Sequence, residues 1–298
     1  MTDFLQLLVA GIAVGSLYAL VALGFVVIYK ATGVINFAQG SLLMLGAYIS
    51  YTFFETVGLN FYLSVLLAMI ALAVIGVIIE RLILSRMVGQ PIFAIIMITI
   101  GLTIATDYII TWRWTGLQRN LSDPWGLDTF TVGDVVIPVV NVVRIVVTGV
   151  LLLGFFLFFR YSRLGVAMRA TASDQEAALA QGISARRIFA LSWAIAAALA
   201  ALAGVLLTSG GRGLDPTLSL VALVAFPAII LGGLDSPPGA VLGGVVMGIV
   251  ETMTSGYSQH IPDWLGHNFY RVTPYVVLVA ILMIRPYGLF GTREVRRV

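Results

Sequence analysis

Residues Leu5–Tyr29 read LQLLVAGIAVGSLYALVALGFVVIY, an uncharged run that is long enough to cross a lipid bilayer as one helix. No basic segment precedes the run, it contains no Ala-x-Ala cleavage site, and it is too long for the core of a signal peptide. We therefore interpret it as a membrane span.

The composition of the chain supports a membrane protein with many spans. Of its 298 residues, 60% are hydrophobic and 10% are charged, whereas about 25% of the residues of an average soluble domain are charged. The basic residues are scattered among apolar runs, which argues against a nucleic-acid interface. Because the sequence contains no Cys, disulfides and thiol catalysis are excluded. We expect an all-α polytopic helix bundle that forms a single transmembrane domain over residues 1–298.

Runs of about 20 apolar residues predict the individual spans. We count nine of them, with eight to ten as the range, because the short seventh and eighth runs are divided only by Asp235-Ser236-Pro237-Pro238. The predicted spans are residues 5–29, 35–54, 61–83, 91–112, 139–159, 188–209, 217–234, 238–256 and 272–288.

The distribution of Lys and Arg predicts the orientation, since cytoplasmic loops of membrane proteins are enriched in these residues. With nine spans and the N-terminus outside, 12 of the 17 basic residues lie inside, and the C-terminus is cytoplasmic. The inside set is Lys30, Arg81, Arg86, Arg160, Arg163, Arg169, Arg186, Arg187, Arg285, Arg293, Arg296 and Arg297. The outside set is Arg113, Arg119, Arg144, Arg212 and Arg271.

Two longer segments are predicted outside. Residues 113–138 lie beside or contain Trp112, Trp114 and Trp125, which are typical of membrane-interface residues, with docking of an external protein as the alternative. Residues 257–271 contain His260 and His267, whose spacing does not indicate a metal site.

The sequence lacks the motifs of nucleotide hydrolysis and of common hydrolases. Lys30 is the only lysine and follows Tyr29, so there is no phosphate-binding P-loop. Neither H-E-x-x-H nor G-x-S-x-G occurs. We expect no enzymatic activity and no cofactor in this chain.

The richest polar cluster near a span is Thr32–Ser41, TGVINFAQGS, in which two amides flank an aromatic residue. This composition predicts either a broken helix beside a substrate path or an ordinary helix entrance capped by Asn36. Hydroxyls in spans, and Pro227 as a kink that frees a backbone carbonyl, are further candidates. The candidate substrate-path residues are Ser16, Tyr18, Asn36, Phe37, Gln39, Thr103 and Pro227.

Three acidic residues lie in or beside the spans. Asp107 and Glu251 are predicted near the external ends, where a structural partner such as Arg144 is favoured over proton coupling. Glu80 precedes Arg81, and the pair is interpreted as an interfacial ion pair.

The longest helix-patterned polar interruption is Arg160–Arg187, RYSRLGVAMRATASDQEAALAQGISARR. Its core predicts a short helix that Ser173 or Asp174 caps and Gly182 ends. We expect a cytoplasmic loop that offers this helix to a partner; the alternative is a surface helix that ties two spans together.

Several motifs resemble those of a known family. E-A-A-x-x-x-G at Glu176–Gly182 resembles the coupling motif of ABC importer permeases, which docks in a groove of the ATPase subunit. Over its whole length, the chain resembles the permeases of branched-chain amino acid ABC uptake systems. G-x-I-N-F-A-Q-G at 33–40 is similar to that family's second-span motif, although the family often has His in place of Gln39. The other similar stretches are Arg163–Asp174, Leu231–Gly244 and Arg285–Gly291.

This resemblance implies a multi-pass subunit of the bacterial cytoplasmic membrane that works with several partners. These are a second related permease subunit, two cytoplasmic ATP-binding subunits and an extracytoplasmic solute-binding protein. ATP and Mg²⁺ are then bound by the ATPase subunits. The implied coupling residues are Arg163, Arg169, Asp174, Glu176, Ala177, Ala178 and Gly182.

The cargo is not specified by these residues. Branched-chain or other amino acids are expected from the resemblance, and urea or short-chain amides are the alternative, since Asn36 and Gln39 suit all of them. An ion-coupled secondary transporter that uses Asp107 or Glu251 is a further alternative, which the few buried charges argue against.

Overall fold

A computed structural model describes residues 2–87, 90–260, 266, 268–285 and 288–291 of the chain. Helices dominate these residues. In chain order they are α1 (Thr2–Thr32), α2 (Gln39–Tyr51), α3 (Phe61–Leu82), α4 (Ile92–Trp114), α5 (Val139–Tyr161), α6 (Arg163–Ser173), α7 (Gln175–Ala180), α8 (Ala185–Thr208), α9 (Val221–Gly232), α10 (Pro237–Gly256) and α11 (Thr273–Ile284). Short 3₁₀ turns occupy Leu84–Arg86, Pro216–Leu220, Ser258–His260 and Phe269–Arg271.

The helices agree with the apolar runs of the sequence, and each predicted span contains one. Among the described helices, six are long and apolar enough to cross a membrane: α1, α3, α4, α5, α8 and α10. Pro216–Gly232 and Thr273–Ile284 are shorter apolar segments, and a π-helical turn, Thr52–Thr56, extends α2. The chain is a mostly helical polytopic membrane protein, as predicted; the count of nine spans stays a prediction.

The expectation of an all-α protein is wrong in one detail. Strands β1 (Thr129–Val132) and β2 (Val135–Pro138) form an antiparallel hairpin in which Val132 pairs with Val135. Threonine and valine favour strands. Gly133, at a φ of 60°, supplies the positive dihedral angle that a two-residue hairpin turn requires.

The boundary between α9 and α10 depends on local capping, whereas the start of α2 does not. The predicted break between the seventh and eighth spans is confirmed, because α9 ends at Gly232 and α10 begins at Pro237. The Ser236 hydroxyl accepts a hydrogen bond from the Gly239 amide at 3.2 Å, and proline is favoured in a first helical turn. In contrast, α2 begins at Gln39, later than the predicted residue 35.

The contacts divide the described residues into two compact units. The first unit comprises those within Met1–Val26, Leu127–Thr148 and Ala222–Val298; the second comprises those within Val27–Gly126 and Gly149–Val221. In the first unit, α1 packs closely on α10, since a Cβ at Gly15 would lie 2.7 Å from Cα of Val245. Small residues allow such approaches in lipid.

In the second unit, α8 packs against α2 and α3. A Cβ at Gly204 would lie 2.2 Å from the carbonyl oxygen of Leu43, and one at Gly76 would lie 2.7 Å from that of Trp193. Helix α8 is largely buried, whereas α3 exposes an apolar stripe with a period of four residues. This stripe suits contact with lipid. Its members are Tyr62, Leu66, Ile70, Val74 and Ile78.

Candidate functional site

The polar cluster of the second unit lies in a non-helical segment, residues 33–38, that leads into α2. Asn36 and Gln39 are both fully buried. The Asn36 side-chain oxygen accepts from the Ala38 amide at 3.0 Å, and its nitrogen donates to the Gln39 side-chain oxygen at 3.3 Å. Gln39 in turn donates to the carbonyl oxygen of Ala196 in α8 at 3.1 Å. The two amides therefore tie the entrance of α2 to α8.

The alternative of Asn36 as helix cap is wrong in detail. Ala38 occupies the N-cap position of α2 and forms no side-chain capping bond. Asn36 instead closes the turn that precedes the helix, because its oxygen reaches the backbone amide two residues later. Phe37, between Asn36 and Ala38, is half-buried.

The candidate Thr103 bonds within its own helix, since its hydroxyl donates to the carbonyl oxygen of Thr99 at 3.1 Å. Nearby, the Ser41 hydroxyl donates to a carboxylate oxygen of Asp107 at 2.5 Å. The prediction of a structural partner for Asp107 is confirmed, with a hydroxyl as the partner. Ser41 ends the predicted polar cluster Thr32–Ser41 but was not among the candidate substrate-path residues.

A cavity of about 270 Å³ lies beside the non-helical segment, within the second unit. The cavity is lined by the non-helical segment, by the ends of α1 and α3 and the turn after α3, and by the N-terminal halves of α4, α7 and α8. These residues are Ile28, Thr32, Gly33, Val34, Ile35, Asn36, Glu80, Leu84, Met87, Gln90, Ile92, Ile95, Thr99, Gln175, Phe189 and Trp193.

Glu80, which was predicted to form an interfacial ion pair with Arg81, interacts electrostatically with Arg81 and Arg186 but forms no hydrogen bond to either. It is 1% exposed, and neither carboxylate oxygen has a hydrogen-bond partner within the part of the chain that the structure describes. The adjacent Arg81 is exposed. Neighbouring positions on a helix point about 100° apart, so Arg81 reaches solvent while Glu80 is buried.

Three predicted residues lie in the first unit. Ser16 donates to the carbonyl oxygen of Ala13 at 2.7 Å, the local bond expected of a hydroxyl in a helix. Tyr18 donates to Glu251 at 2.6 Å, which provides the predicted structural partner for that acid. Pro227 is buried inside α9.

The segment between α5 and α8 contains two helices, α6 and α7, where one was predicted. The Asp174 side chain accepts from the Ala177 amide at 2.9 Å and caps α7. At the other end, the amides of Gly182 and Ile183 donate to the carbonyl oxygens of Leu179 and Ala178, and Gly182 has a φ of 81°. This is a Schellman motif, and it confirms the predicted start and stop of the helix.

Arg169 attaches α6 to the end of α5. Its guanidinium donates to the carbonyl oxygens of Phe159 and, at 3.3 Å, Arg160. It also lies 5.5 Å from the centroid of the Phe159 ring. The last carbonyls of a helix lack partners within it, and Arg169 satisfies two of them. Arg163, by contrast, is exposed at the start of α6.

Helix α7 presents an exposed surface that is partly apolar. Glu176, Ala177 and Leu179 are exposed, and Leu179 has half of its surface accessible. Ala178 is buried and anchors the helix from its other side. We call the surface formed by these three exposed residues the α7 surface.

A second polar cluster, which the sequence did not reveal, joins the C-terminal end of α2 to the C-terminal end of α4. Trp114 donates through its indole nitrogen to the Thr52 hydroxyl at 2.9 Å. Arg119 donates to the Tyr51 hydroxyl at 3.2 Å, and the Asp123 carboxylate accepts from the Gly210 amide at 2.7 Å. The only available signal was the high polarity of residues 113–126.

The prediction that His260 and His267 do not form a metal site concerns side chains outside the part of the chain that the structure describes. Trp264 also lies outside the described residues. Among the described residues there is no group of three or more His, Asp or Glu side chains that could hold a metal ion.

Comparison with known proteins identifies relatives over nearly the whole chain. A family model described as branched-chain amino acid transport system / permease component matches residues 7–284. The high-affinity branched-chain amino acid transport system permease protein BraD of Pseudomonas aeruginosa is 33% identical, over 99% of this chain and 98% of BraD. LivH of Escherichia coli K12, a permease protein with the same description, is 31% identical over 99% of this chain and 98% of LivH. Among solved structures, PsaBC from Streptococcus pneumoniae in complex with Fab aligns at a TM-score of 0.49 and 16% identity, over 96% of this chain and 93% of that chain.

Proposed function

Because the chain belongs to the family of permease components of branched-chain amino acid transport systems, we propose that it imports branched-chain or other amino acids. It is a multi-pass membrane subunit of an ABC transporter and not itself an enzyme. The observation that carries the proposed cargo is the full-length similarity to two permease proteins whose names specify that cargo.

The proposed partners are a second related permease subunit, two cytoplasmic ATPases and an external solute-binding protein. The α7 surface is the proposed ATPase contact. Its support is the exposure of Glu176, Ala177 and Leu179 on a helix that is capped at both ends. A partner that covers this surface would remove apolar area from water, which favours association.

Arg169 is the proposed mechanical link between this contact and the spans. Because its guanidinium bonds to the last carbonyls of α5, a displacement of α6 by the ATPase would act directly on that helix. Arg163, Asp174 and Gly182 are proposed to hold α6 and α7 in the shape that the ATPase recognises.

We further propose nine spans within one permease domain, with the N-terminus outside and the C-terminus in the cytoplasm. Two observations in the second unit support the predicted grouping of the helix ends on common sides of the membrane. Lys30 lies 5.9 Å from the Phe159 ring, so two ends predicted as cytoplasmic are neighbours. The cluster of Tyr51, Trp114 and Arg119 likewise joins ends predicted as external.

The proposed substrate path includes the buried amides Asn36 and Gln39, with Phe37 and Thr103 beside them, and Ser16, Tyr18 and Pro227 in the first unit. Support for the amides is their complete burial at a non-helical segment that borders a cavity. Non-helical backbone at membrane depth is tolerated where protein or a cavity surrounds it.

The test uses the whole complex in proteoliposomes. ATP hydrolysis is followed while the cognate binding protein is added, loaded with leucine, another amino acid, urea or a short-chain amide. Stimulation by leucine and related amino acids is expected. Stimulation by urea or an amide alone would contradict the amino acid cargo, and ATP-independent uptake driven by an ion gradient would support a secondary transporter.

The coupling role is tested by Glu176→Arg together with Gly182→Trp, which should abolish ATP-dependent uptake. Glu55→Arg is the matched control, because Glu55 is also exposed but belongs to the π-helical turn after α2. Unchanged uptake in the double variant would refute the proposed ATPase contact.

A further inference from the structure

The cavity beside residues 33–38 combines an apolar wall with a few polar groups. Ile28, Val34 and Ile95 supply aliphatic surface, while Phe189 and Trp193 supply aromatic surface. Binding pockets for drug-sized ligands usually measure about 300–1,000 Å³ and are mostly apolar with a few placed polar groups. A volume of about 270 Å³ therefore suits a smaller molecule.

Glu80 is the acidic residue among the lining side chains of this cavity. It is 1% exposed, and neither oxygen has a hydrogen-bond partner in the described residues. Arg81 and Arg186 are close enough to interact with it electrostatically, but neither donates a hydrogen bond to it. Burying a carboxylate without hydrogen-bond partners is costly, so a cationic group in the cavity would supply the hydrogen bonds that Arg81 and Arg186 do not.

The lining favours an ammonium group over a metal ion. A divalent cation requires several oxygen or nitrogen ligands, whereas Glu80 is a single carboxylate and no metal-binding cluster occurs among the described residues. An ammonium group needs acceptors for three N–H donors. The two Glu80 oxygens, unpartnered among the described residues, would accept such bonds.

The remaining lining suits the rest of a small amino acid. Gln90 and Gln175 are exposed at the cavity and carry amide donors that a carboxylate could accept from. The aliphatic residues suit a branched hydrocarbon side chain. Cation, anion and apolar groups thus have separate complementary surfaces.

We propose that this cavity binds the ammonium group of a small aliphatic amino acid through Glu80, within the transport path on the side of the coupling helices. The proposal rests on the amino acid cargo proposed above. Gln175 is the first residue of α7, so the bound amino acid would touch the helix that carries the proposed ATPase contact. Release of cargo and the position of this helix would then be linked.

The test measures binding of radiolabelled leucine to the assembled permease–ATPase complex in nanodiscs, without binding protein. Leucine and 3-methylbutylamine, which keeps the ammonium group, should compete with the label. 4-Methylpentanoate, which lacks the ammonium group, should compete poorly. Glu80→Gln should weaken leucine binding about tenfold or more, since a charge-assisted hydrogen bond is lost.

Two variants keep the test decisive. Asp107→Asn makes the same chemical change at a carboxylate that does not line the cavity and should leave leucine affinity unchanged. Ile95→Phe fills the cavity while Glu80 remains, and it should also weaken leucine binding. If Glu80 only balanced the charge of Arg186, Glu80→Gln would alter stability but not the order of the competitors.

Equal leucine affinity in wild type and Glu80→Gln would overturn the proposal, as would equal competition by the amine and the acid, or no leucine binding by the wild-type complex. Uptake of leucine delivered by the binding protein is measured on the same preparation. Uptake by the wild type with no effect of Glu80→Gln on binding would reject this site alone. Failure to take up any amino acid would reject the proposed cargo.

Discussion

The Ser41 hydroxyl lies 2.5 Å from a carboxylate oxygen of Asp107 and connects α2 to α4. Ser41 is fully buried, while Asp107 is half-buried. The same hydroxyl is 3.4 Å from the carbonyl oxygen of Thr103. The bond gives the acid a fixed donor, and it accounts for an acidic residue in a helix that is otherwise apolar.

Ser41→Ala should lower the thermal unfolding midpoint of the complex in detergent. The free energy of unfolding should fall by between about 0.6 kcal/mol, the average measured for hydrogen bonds between helices of a membrane protein, and about 3 kcal/mol, the upper value for bonds to charged groups. Ser85→Ala is the control, because the Ser85 hydroxyl, in the turn after α3, bonds locally to the Arg81 carbonyl oxygen four residues earlier. Equal midpoints for the two variants would show that the Ser41 bond contributes nothing to stability.

Gly204→Ala should destabilise the packing of α8 on α2. The added Cβ would lie 2.2 Å from the Leu43 carbonyl oxygen, and overpacking of this kind costs about 1–3 kcal/mol. The unfolding midpoint and the yield of monodisperse protein are the measurements. Gly101→Ala, where no atom lies within 4 Å of the added Cβ, should be neutral or stabilising, and a loss as large as that of Gly204→Ala would contradict the explanation.

Gln39→Leu should reduce both stability and ATP-dependent uptake. It removes the donor to the Ala196 carbonyl oxygen and the acceptor of the Asn36 amide, and a buried group left without a partner costs about 1–3 kcal/mol. Gln39→His keeps one donor and one acceptor in neutral form and should retain most of the uptake. Similar uptake rates for the two variants, normalised to the amount of complex, would argue against the network.

Gly182→Ala should weaken coupling between ATP hydrolysis and uptake. A non-glycine residue at the φ of 81° is strained, by about 1–2 kcal/mol, and the Schellman motif that ends α7 would open. Gly182→Asn should be milder, because asparagine tolerates this conformation better. The number of amino acids imported per ATP should therefore fall in the order Gly, Asn, Ala, and a reversed order for Asn and Ala would refute the role of the positive φ.

Arg169→Lys should loosen α6 while leaving the spans intact. Lysine keeps the charge but lacks the planar fork that bonds to two carbonyls, those of Phe159 and Arg160. Hydrogen exchange of the backbone amides in α6 should become faster than in the wild type. Arg86→Lys is the control, since Arg86 is exposed in the turn after α3, and equal exchange in both variants would mean that the Arg169 contacts do not hold α6.

Much of the fold could be predicted because the elements depend on local patterns. Apolar runs located the helices, since each span must satisfy its backbone hydrogen bonds internally. Asp174 and Gly182 predicted the ends of α7, because a side-chain cap and a left-handed glycine act within a few residues. The hairpin at 129–138 was missed, because its strands are too short to stand out among apolar spans.

The candidate site could be predicted only in part. Asn36 and Gln39 stood out as amides beside an apolar run, but their bonding to each other and to Ala196 depends on how α2 meets α8. Glu80 was assigned to Arg81 because the two are adjacent, and Arg81 does interact with it electrostatically, but the structure also buries Glu80 beside residues of α1, α4 and α8. No pattern within α3 indicates those neighbours.

The sequence by itself determined that this protein is a polytopic membrane permease, where its long apolar helices lie and where the capped helix α7 lies. Hydrophobicity, helix length and capping act over short stretches of chain, and they can be read without knowledge of the fold. Only the tertiary structure decided that Ser41 is the donor to Asp107 and that Glu80 lines a cavity. Those relationships join residues from separate helices, and they depend on close helix packing of the kind seen where Gly204 meets Leu43.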